Sequence, residues 1–272
     1  MEDTQLTYYG GYYEPLKQLE QEVLGWLNER VDELDGKHQE RPVEHIRSRI
    51  KTAEGVQEKL ERKGYDNDVE TAFTHLSDLI GFRLVTHFVG DVYELVKSMK
   101  SDTRYRVVKE KDYIALPKPN GYRSYHVIAY YTVQTINGPK NLEVEIQIRT
   151  LAMNFWAIIE HSLQYKYKEN MPDEVRGRLL RAAKAVDALD MEMSSVRDEI
   201  MDAQNSNRRR ASIVSDILNN IENLYRTMNK REVGKIQDEF FRVYQSDDVA
   251  LLERFNRQLD VLSESYRAQS LD

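Results

Sequence analysis

One short segment constrains the fold of this chain more than any other. Residues 143–149 read Glu-Val-Glu-Ile-Gln-Ile-Arg, so apolar and polar side chains alternate without interruption. Successive side chains of a β-strand point to opposite faces of its sheet. One face of this predicted strand is therefore buried, and the other presents carboxylates, an amide and a guanidinium in a row. The row is either the solvated face of an antiparallel strand or a place where a metal ion and a polar substrate bind together.

The composition favours a water-soluble chain of one or two domains, rich in charged helices. The 272 residues are 40% hydrophobic and 31% charged, and the formal net charge of −7 argues against a nucleic-acid partner, because general nucleic-acid binders are more often basic. No apolar run approaches the ~20 residues that span a bilayer, and the N-terminus lacks the basic and apolar regions of a signal peptide. We therefore predict a cytoplasmic protein without a membrane partner. Cysteine is absent, which excludes disulfides and thiolate metal sites.

Hydrophobic periodicity predicts a sheet in the middle third of the chain, with helices on both sides in sequence. Helices are predicted over residues 12–35, 69–77, 90–100, 151–168 and 173–205, and around Val56 and Leu60 with an end near Gly64. Extended segments are predicted at residues 79–85, 105–108, 113–116, 122–134 and in the opening strand. The polar, basic segment 205–210 is predicted to break the last helix, and 212–270 to form two or three more. This order indicates an α+β fold.

Two charged residues lie at or inside the apolar segment 79–85. Asp78 stands just before it, and Arg83 lies within it. A buried charge is costly unless it is paired, so Arg83 requires either an ion pair with a strand carboxylate or a ligand. Asp78 is either a turn residue or a member of the same site.

Basic residues cluster upstream of this segment. They are Arg47, Arg49 and Lys51 at alternate positions, and Lys59, Arg62 and Lys63 on one helical face. Together with Arg83 they could hold a triphosphate, because guanidinium and ammonium groups bind phosphate. Interleaved glutamates equally allow a solvated face with local ion pairs. Neither a P-loop nor a GxGxxG sequence occurs, so side chains would have to hold the phosphates.

A proline- and glycine-containing loop precedes an aromatic, a hydroxyl and an imidazole at alternate positions. The loop is Pro117-Lys-Pro-Asn-Gly121, and Tyr122, Ser124 and His126 follow on one face of the predicted strand. Tyr122 could stack on a base, and Lys118 and His126 could bind phosphate. The alternative is an ordinary tyrosine-rich sheet surface.

Taken in order, these segments resemble the synthetase domain of RelA/SpoT homologues. The matching residues are Asp78-Leu-Ile-Gly-Phe-Arg83, Lys118-Pro-Asn-Gly-Tyr-Arg-Ser-Tyr-His126, Glu143-Val-Glu-Ile-Gln-Ile-Arg-Thr150, Asn154-Phe-Trp and Glu160-His161. The resemblance covers roughly residues 40–200, and the short chain is similar to a small alarmone synthetase. It implies a mixed five-stranded sheet flanked by helices, related to nucleotidyltransferases. The expected organisation is an N-terminal helical segment 1–40, a catalytic domain 41–170 and C-terminal helices 171–272.

The resemblance also implies a reaction and a set of site residues. The family transfers the β,γ-pyrophosphate of ATP to the ribose 3′-hydroxyl of GDP or GTP, making AMP and the stringent-response alarmones ppGpp or pppGpp. By resemblance, Asp78 and Glu145 hold Mg²⁺, and Glu145 is also the base for the 3′-hydroxyl. The implied ATP-binding residues are Arg49, Lys51, Lys59, Arg62 and Arg83. The implied GDP- or GTP-binding residues are Lys118, Tyr122, His126, Gln147 and Asn154.

Several alternatives stay open beside this reading. Some relatives modify other 3′-hydroxyls, on adenine nucleotides or on tRNA, and a nucleotide- or RNA-binding regulator without catalysis is a third possibility. The absence of a His-Asp pair argues against the hydrolase activity of long family members. Small members commonly form homotetramers through C-terminal helices, and here the apolar residues of 179–193 and 214–265 could build an oligomer or pack within the chain.

Overall fold

A five-stranded mixed sheet lies at the centre of the computed structural model, which describes residues 2–36, 41–102, 106–135, 137–167 and 171–269. The strands are β1 (Val43–Ile50), β2 (Ile80–Thr86), β3 (Arg106–Asp112), β4 (Tyr125–Thr135) and β5 (Gly138–Thr150). Their order in the sheet is β1-β2-β5-β4-β3. Strands β2 and β5 are parallel, and the other neighbouring pairs are antiparallel. The mixed five-stranded α+β fold is therefore confirmed.

Helices precede and follow the sheet-forming segment, as the periodicity predicts. The first five are α1 (Glu2–Tyr9), α2 (Tyr13–Asp35), α3 (Ala53–Lys63), α4 (Val69–His75) and α5 (Val89–Ser101), with a 3₁₀ turn at Gly10–Tyr12. The later four are α6 (Leu151–Tyr167), α7 (Asp173–Thr227), α8 (Lys230–Gln245) and α9 (Val249–Gln269). No helix in these described segments is long and apolar enough to cross a membrane.

The structure corrects three local predictions. Residues 43–50 form strand β1, where the sequence predicted no extended segment. Residues 113–116 form a turn rather than a strand, because the Asp112 side chain accepts hydrogen bonds from the backbone N–H groups of Ile114 and Ala115, both at 2.9 Å. Strand β4 begins at Tyr125, so residues 122–124 still belong to the loop.

The predicted helix break at residues 205–210 is wrong, because the 55-residue helix α7 continues through this segment. The segment is polar and exposed but contains neither proline nor glycine, so nothing in its backbone chemistry ends a helix. Two of its arginines instead form ion pairs: Arg209 with Glu253 and Arg210 with Asp247.

The chain forms two compact units, residues 1–194 and 195–272. In the first, apolar residues of α2 such as Val23 and Leu27 belong to one buried cluster with Ile146 and Ile148 of β5. The second has its own core, formed by Ile217, Ile221, Leu224, Val233, Phe240, Leu252, Phe255 and Leu259. The functional division into segments 1–40, 41–170 and 171–272 stays a prediction.

Candidate active site

The alternation in β5 is realised as predicted. Val144, Ile146 and Ile148 are each 0% exposed on the core face. On the opposite face, Glu145 and Gln147 are partly buried. Full burial of an aliphatic side chain contributes about 1.5–3 kcal/mol, so the three core residues fix which face of β5 carries the polar groups.

A row of five side chains crosses this polar face, one from each strand. Register pairs place Arg47 beside Arg83, Arg83 beside Gln147, Gln147 beside His126, and His126 beside Lys111. Directly paired residues point to the same face of a sheet. The row therefore brings residues from both predicted nucleotide sites, Arg83 on one side and Gln147 with His126 on the other, onto one surface.

The neighbouring row has a gap at its centre. Gly81 of β2 pairs with Arg49 on one side and with Glu145 on the other. A Cβ placed on Gly81 would meet nothing within 4 Å. A glycine within a strand often marks a place where a ligand approaches the backbone. Here Gly81 leaves open space between the guanidinium of Arg49 and the carboxylate of Glu145.

A closed ring of hydrogen bonds surrounds the carboxylate of Glu145. Its Oε1 lies 3.0 Å from Nδ1 of His126, whose Nε2 lies 2.8 Å from the Tyr122 hydroxyl. Nη2 of Arg149 donates to that hydroxyl at 2.6 Å and to Oε1 of Gln147 at 2.8 Å. Nε2 of Gln147 donates to Glu145 Oε2 at 3.0 Å and closes the ring.

The guanidinium sets the direction of the hydrogen bonds in this ring. A guanidinium can only donate, so the Tyr122 hydroxyl accepts from Arg149, and its own hydrogen can be donated to His126 Nε2 when that nitrogen carries no hydrogen. The ionised carboxylate of Glu145 can only accept, so Nδ1 of His126 donates to it. Burial raises the pKa of Glu145, but the hydrogen bond and charge of His126, together with Gln147, outweigh it and lower the pKa to about 2.

Arg149 is the member of the ring whose importance was missed from the sequence. It is only 4% exposed. Its Nε donates to Ser124 Oγ at 3.3 Å, and its guanidinium carbon lies 5.0 Å from the centre of the Tyr122 ring. No ion pair with a carboxylate is recorded for it in the described part of the chain. Its alternate position after Gln147 was the available clue, because both side chains must share the polar face.

A second cluster forms around Asp78. Its Oδ2 lies 3.0 Å from Nζ of Lys51, which follows β1, and its Oδ1 lies 2.7 Å from Nζ of Lys59 on α3. Burial raises the pKa of Asp78, but the two ammonium groups outweigh it, so the pKa lies below its ordinary value. The structure thus brings together the predicted metal-binding carboxylate and two predicted ATP-binding lysines.

The arginines of the predicted ATP site lie in different environments. Arg83 is partly buried, and its Nε has no hydrogen-bond partner among the described residues. Within the same residues, Arg83 does not form the ion pair with a strand carboxylate that the sequence allowed as an alternative. Burial, followed by the charges of Arg149 and Arg49, lowers the pKa of Arg83. Arg49 and Arg62 are exposed. A buried donor without a partner among like charges indicates a place for an acceptor or an anion.

The loop before β4 is locked against helix α7. Gly121 has φ +90°, and a Cβ on it would lie 2.5 Å from the Cβ of Ala183. Nζ of Lys118 lies 4.8 Å from the ring centre of Tyr113 and 4.7 Å from that of Tyr122. The close packing of Gly121 therefore fixes the position of two predicted acceptor-binding residues.

Asn154 stands on the first turn of α6, directly after β5. Thr150 Oγ1 accepts from the Met153 N–H at 3.1 Å and caps this turn. Asn154 is 9% exposed, and its Oδ1 is buried without a hydrogen-bond partner within the described segments. Like Arg83 Nε, it is a polar atom whose partner is expected to come from a ligand.

Comparisons with known proteins agree with this geometry. Residues 48–170 match the model of the region found in RelA / SpoT proteins. The chain is 44% identical to GTP pyrophosphokinase YjbM of Bacillus subtilis over 164 residues, which are 60% of this chain and 76% of that protein. It is 39% identical to GTP pyrophosphokinase YwaC of the same organism over 163 residues, 60% of this chain and 78% of that protein.

A solved structure supports the same assignment. The crystal structure of small alarmone synthetase 1 from Bacillus subtilis, bound to its product pppGpp, has a TM-score of 0.62 and 40% identity. The match covers 95% of that chain but 69% of this one, so nearly a third of this chain has no counterpart there. Sequence, fold and site geometry agree, and the chain belongs to the RelA/SpoT family of GTP pyrophosphokinases.

Proposed function

We propose that this chain transfers the β,γ-pyrophosphate of ATP to the ribose 3′-hydroxyl of GDP or GTP and releases AMP. The single observation that carries the proposal is the hydrogen-bonded ring around Glu145, which lies beside the open space at Gly81. The ring gives an oriented, ionised carboxylate, and the open space at Gly81 gives substrates room to approach it. The named activities of the relatives support the same reaction.

The donor side is a surface of cations. Arg49 pairs with Gly81, Arg83 lies two residues further along the same strand as Gly81, and Lys51 and Lys59 lie around Asp78. Phosphoryl-type transfer depends mostly on positioning and on neutralising phosphate charge. We assign the lysines to the ATP phosphates and the two arginines to the adenine, with exposed Arg62 as a further phosphate contact.

We assign the magnesium ion to the two carboxylates. Asp78 and Glu145 both have lowered pKa values, so both are ionised at neutral pH. The described residues contain no group of three or more His, Asp or Glu that could hold a metal. Mg²⁺ typically takes one or two carboxylates and completes its shell with substrate phosphates and water. When bound, the ion would neutralise charge that develops on the transferred phosphates.

The acceptor side supplies the nucleophile. Tyr122 stacks on the guanine, Lys118 and His126 contact the acceptor phosphates, and Gln147 and Asn154 line the same site. The 3′-hydroxyl attacks the β-phosphorus of ATP while Glu145 accepts its proton. The bond between the β-phosphorus and the oxygen of AMP breaks, and AMP leaves.

A competition assay tests the acceptor class. The chain is given ATP and Mg²⁺ with GDP, GTP, ADP and tRNA together, and the products are separated by chromatography. We expect pyrophosphate on the guanine nucleotides and an equal amount of AMP. Transfer only to ADP or tRNA would assign the alternative acceptor, and bound ATP without any AMP would indicate a regulator. Glu145→Gln is the control, with kcat lowered about 10²–10⁴-fold.

The homo-oligomer implied by resemblance, a tetramer, stays a proposal, as does the cytoplasmic location. Helix α6 exposes Phe155 (66%), Ile158 (47%) and Ile159 (44%), an apolar face that a second copy could cover. Light scattering tests it, and a monomer at micromolar concentration would contradict it.

A further inference from the structure

A cavity of about 540 Å³ lies beside the loop that carries Tyr122, and the reaction outlined above does not use it. Its polar wall includes Asn120, Glu160 and Gln164, and its apolar wall includes Met171 and Leu180. Sites for small molecules commonly have this size and combine apolar walls with a few polar groups. The cavity is therefore suited to one small, partly polar molecule.

The carboxylate in this cavity is unusual. Glu160 is 6% exposed. Its Oε1 accepts from Nδ2 of Asn120 at 3.0 Å and also from Nε2 of Gln164. No cation pairs with Glu160 in the described segments; Arg176, which also lines the cavity, lies 3.7 Å from Asp173 instead. Burying a carboxylate whose only partners are amides costs free energy. Its remaining lone pairs can accept further hydrogen bonds.

One side chain joins this carboxylate to the stacking tyrosine. Asn120 donates to Glu160, and its Oδ1 accepts from the backbone N–H of Tyr122 at 3.2 Å. Gly121 between them packs against Ala183 and Leu180, so the loop cannot swing away freely. Asn120 thus ties the backbone of the stacking tyrosine to a carboxylate that can still accept hydrogen bonds.

We propose that Glu160 selects guanine in the acceptor nucleotide, by accepting hydrogen bonds from N1–H and from the exocyclic 2-amino group of the base. The inference rests on the proposed function and names a residue that decides its specificity. Guanine offers two adjacent donors to a carboxylate. Hypoxanthine lacks the amino group, and adenine turns the lone pair of N1 toward the negative charge.

The test compares GDP, IDP and ADP as acceptors for the full-length chain. A site built to bind a donor rejects analogues that lack it, and a hydrogen bond to a charged group corresponds to a factor of about 10–100. We expect kcat/KM for GDP to exceed that for IDP by about 10-fold or more, with ADP used least. Glu160→Gln should lower kcat/KM for GDP about 10–100-fold and bring GDP and IDP close together. Asp173→Asn, a fully exposed carboxylate near the cavity, should keep the wild-type preference.

Several results would overturn the proposal. Equal kcat/KM for GDP and IDP with the wild-type chain would overturn it. This result needs no variant, so the test still works if Glu160→Gln does not fold. A folded Glu160→Gln variant with the wild-type GDP to IDP ratio would overturn it too. Equilibrium dialysis that finds two GDP per chain, with acceptor kcat/KM unchanged in the variant, would assign the cavity to a separate guanine effector. Absence of transfer to every acceptor would instead reject the proposed function itself.

Discussion

At the scale of single residues, Arg149 holds the acceptor side of the site together through its bonds to Tyr122 and Gln147. Arg149→Met keeps an apolar stem of similar shape but removes the donors. We expect KM for GDP to rise about 10–100-fold, because each lost bond involves a charged group. KM for ATP should change little, since the donor residues lie on β2, on α3, and on or directly after β1. Initial rates with each substrate varied separately measure both values.

Arg149→Lys is the matched control for this variant. It keeps the charge but loses the planar fork that reaches two acceptors at once. Its KM for GDP should lie between those of the wild type and Arg149→Met. A wild-type KM for GDP in a folded Arg149→Met chain would remove the positioning role of this residue.

The ring around Glu145 also predicts a pH dependence of stability. The pKa of Glu145 is lowered in the folded chain from 4.5 to about 2. A lowered pKa stabilises the folded state above about pH 4.5, and this contribution is lost as the pH falls toward 2. It is on the order of 3 kcal/mol, since one pKa unit corresponds to about 1.4 kcal/mol. Urea unfolding across this window should show a weaker pH dependence for Glu145→Gln; identical curves would contradict the account.

At the scale of elements, the loop before β4 owes its position to one glycine. Gly121→Ala places a Cβ 2.5 Å from that of Ala183 at a positive φ. We expect the free energy of unfolding to fall by about 1–3 kcal/mol, as in other overpacked sites. KM for the acceptor should also rise, because Lys118 and Tyr122 move with the loop. Denaturant titration and steady-state kinetics measure the two effects.

Two variants separate the clash from backbone strain. Gly138 has φ +93° but open space around it, so Gly138→Ala adds strain without a clash. It should leave acceptor KM unchanged. Ala183→Gly in the Gly121→Ala background should recover part of the lost affinity. No recovery would show that α7 does not position the loop.

Local chemistry explains which elements and site residues could be predicted from the sequence. The strand around Glu145 alternates so strictly that one face had to be buried, and the motif order located Asp78 and Tyr122. Strand β1 was missed because most of its residues are polar and show no clear apolar alternation, although Arg47 and Arg49 alternate. The break in α7 was predicted from polarity alone, which does not end a helix without proline, glycine or a cap. The ring through Arg149 depends on strand register, which a single sequence does not reveal.

At the scale of the whole molecule, the two compact units suggest a division in which catalysis belongs to the first unit alone. All predicted site residues lie in residues 1–194, and the described residues of each unit form a buried hydrophobic cluster of their own. A chain ending at residue 204 keeps the part of α7 that bears Asp190, whose Oδ2 accepts from Thr150 Oγ1 at 2.7 Å. We expect this shortened chain to fold and to keep kcat/KM within about threefold, because the site and its core remain.

Circular dichroism and the acceptor assay compare the shortened and full-length chains. Full helicity with lost activity would show that the second unit takes part in catalysis. Loss of folding would show that the first unit depends on residues 205–272 for its stability. Either outcome would contradict the proposed division.

The central claim is that a pyrophosphate, rather than a single phosphate, moves to the acceptor. The most direct measurement uses two batches of ATP, one labelled on the β-phosphorus and one on the γ-phosphorus, each with Mg²⁺ and GDP. The account predicts that both labels enter the guanine product to the same extent and that AMP appears in equal amount. Transfer of the γ-label alone, with release of ADP, would contradict it.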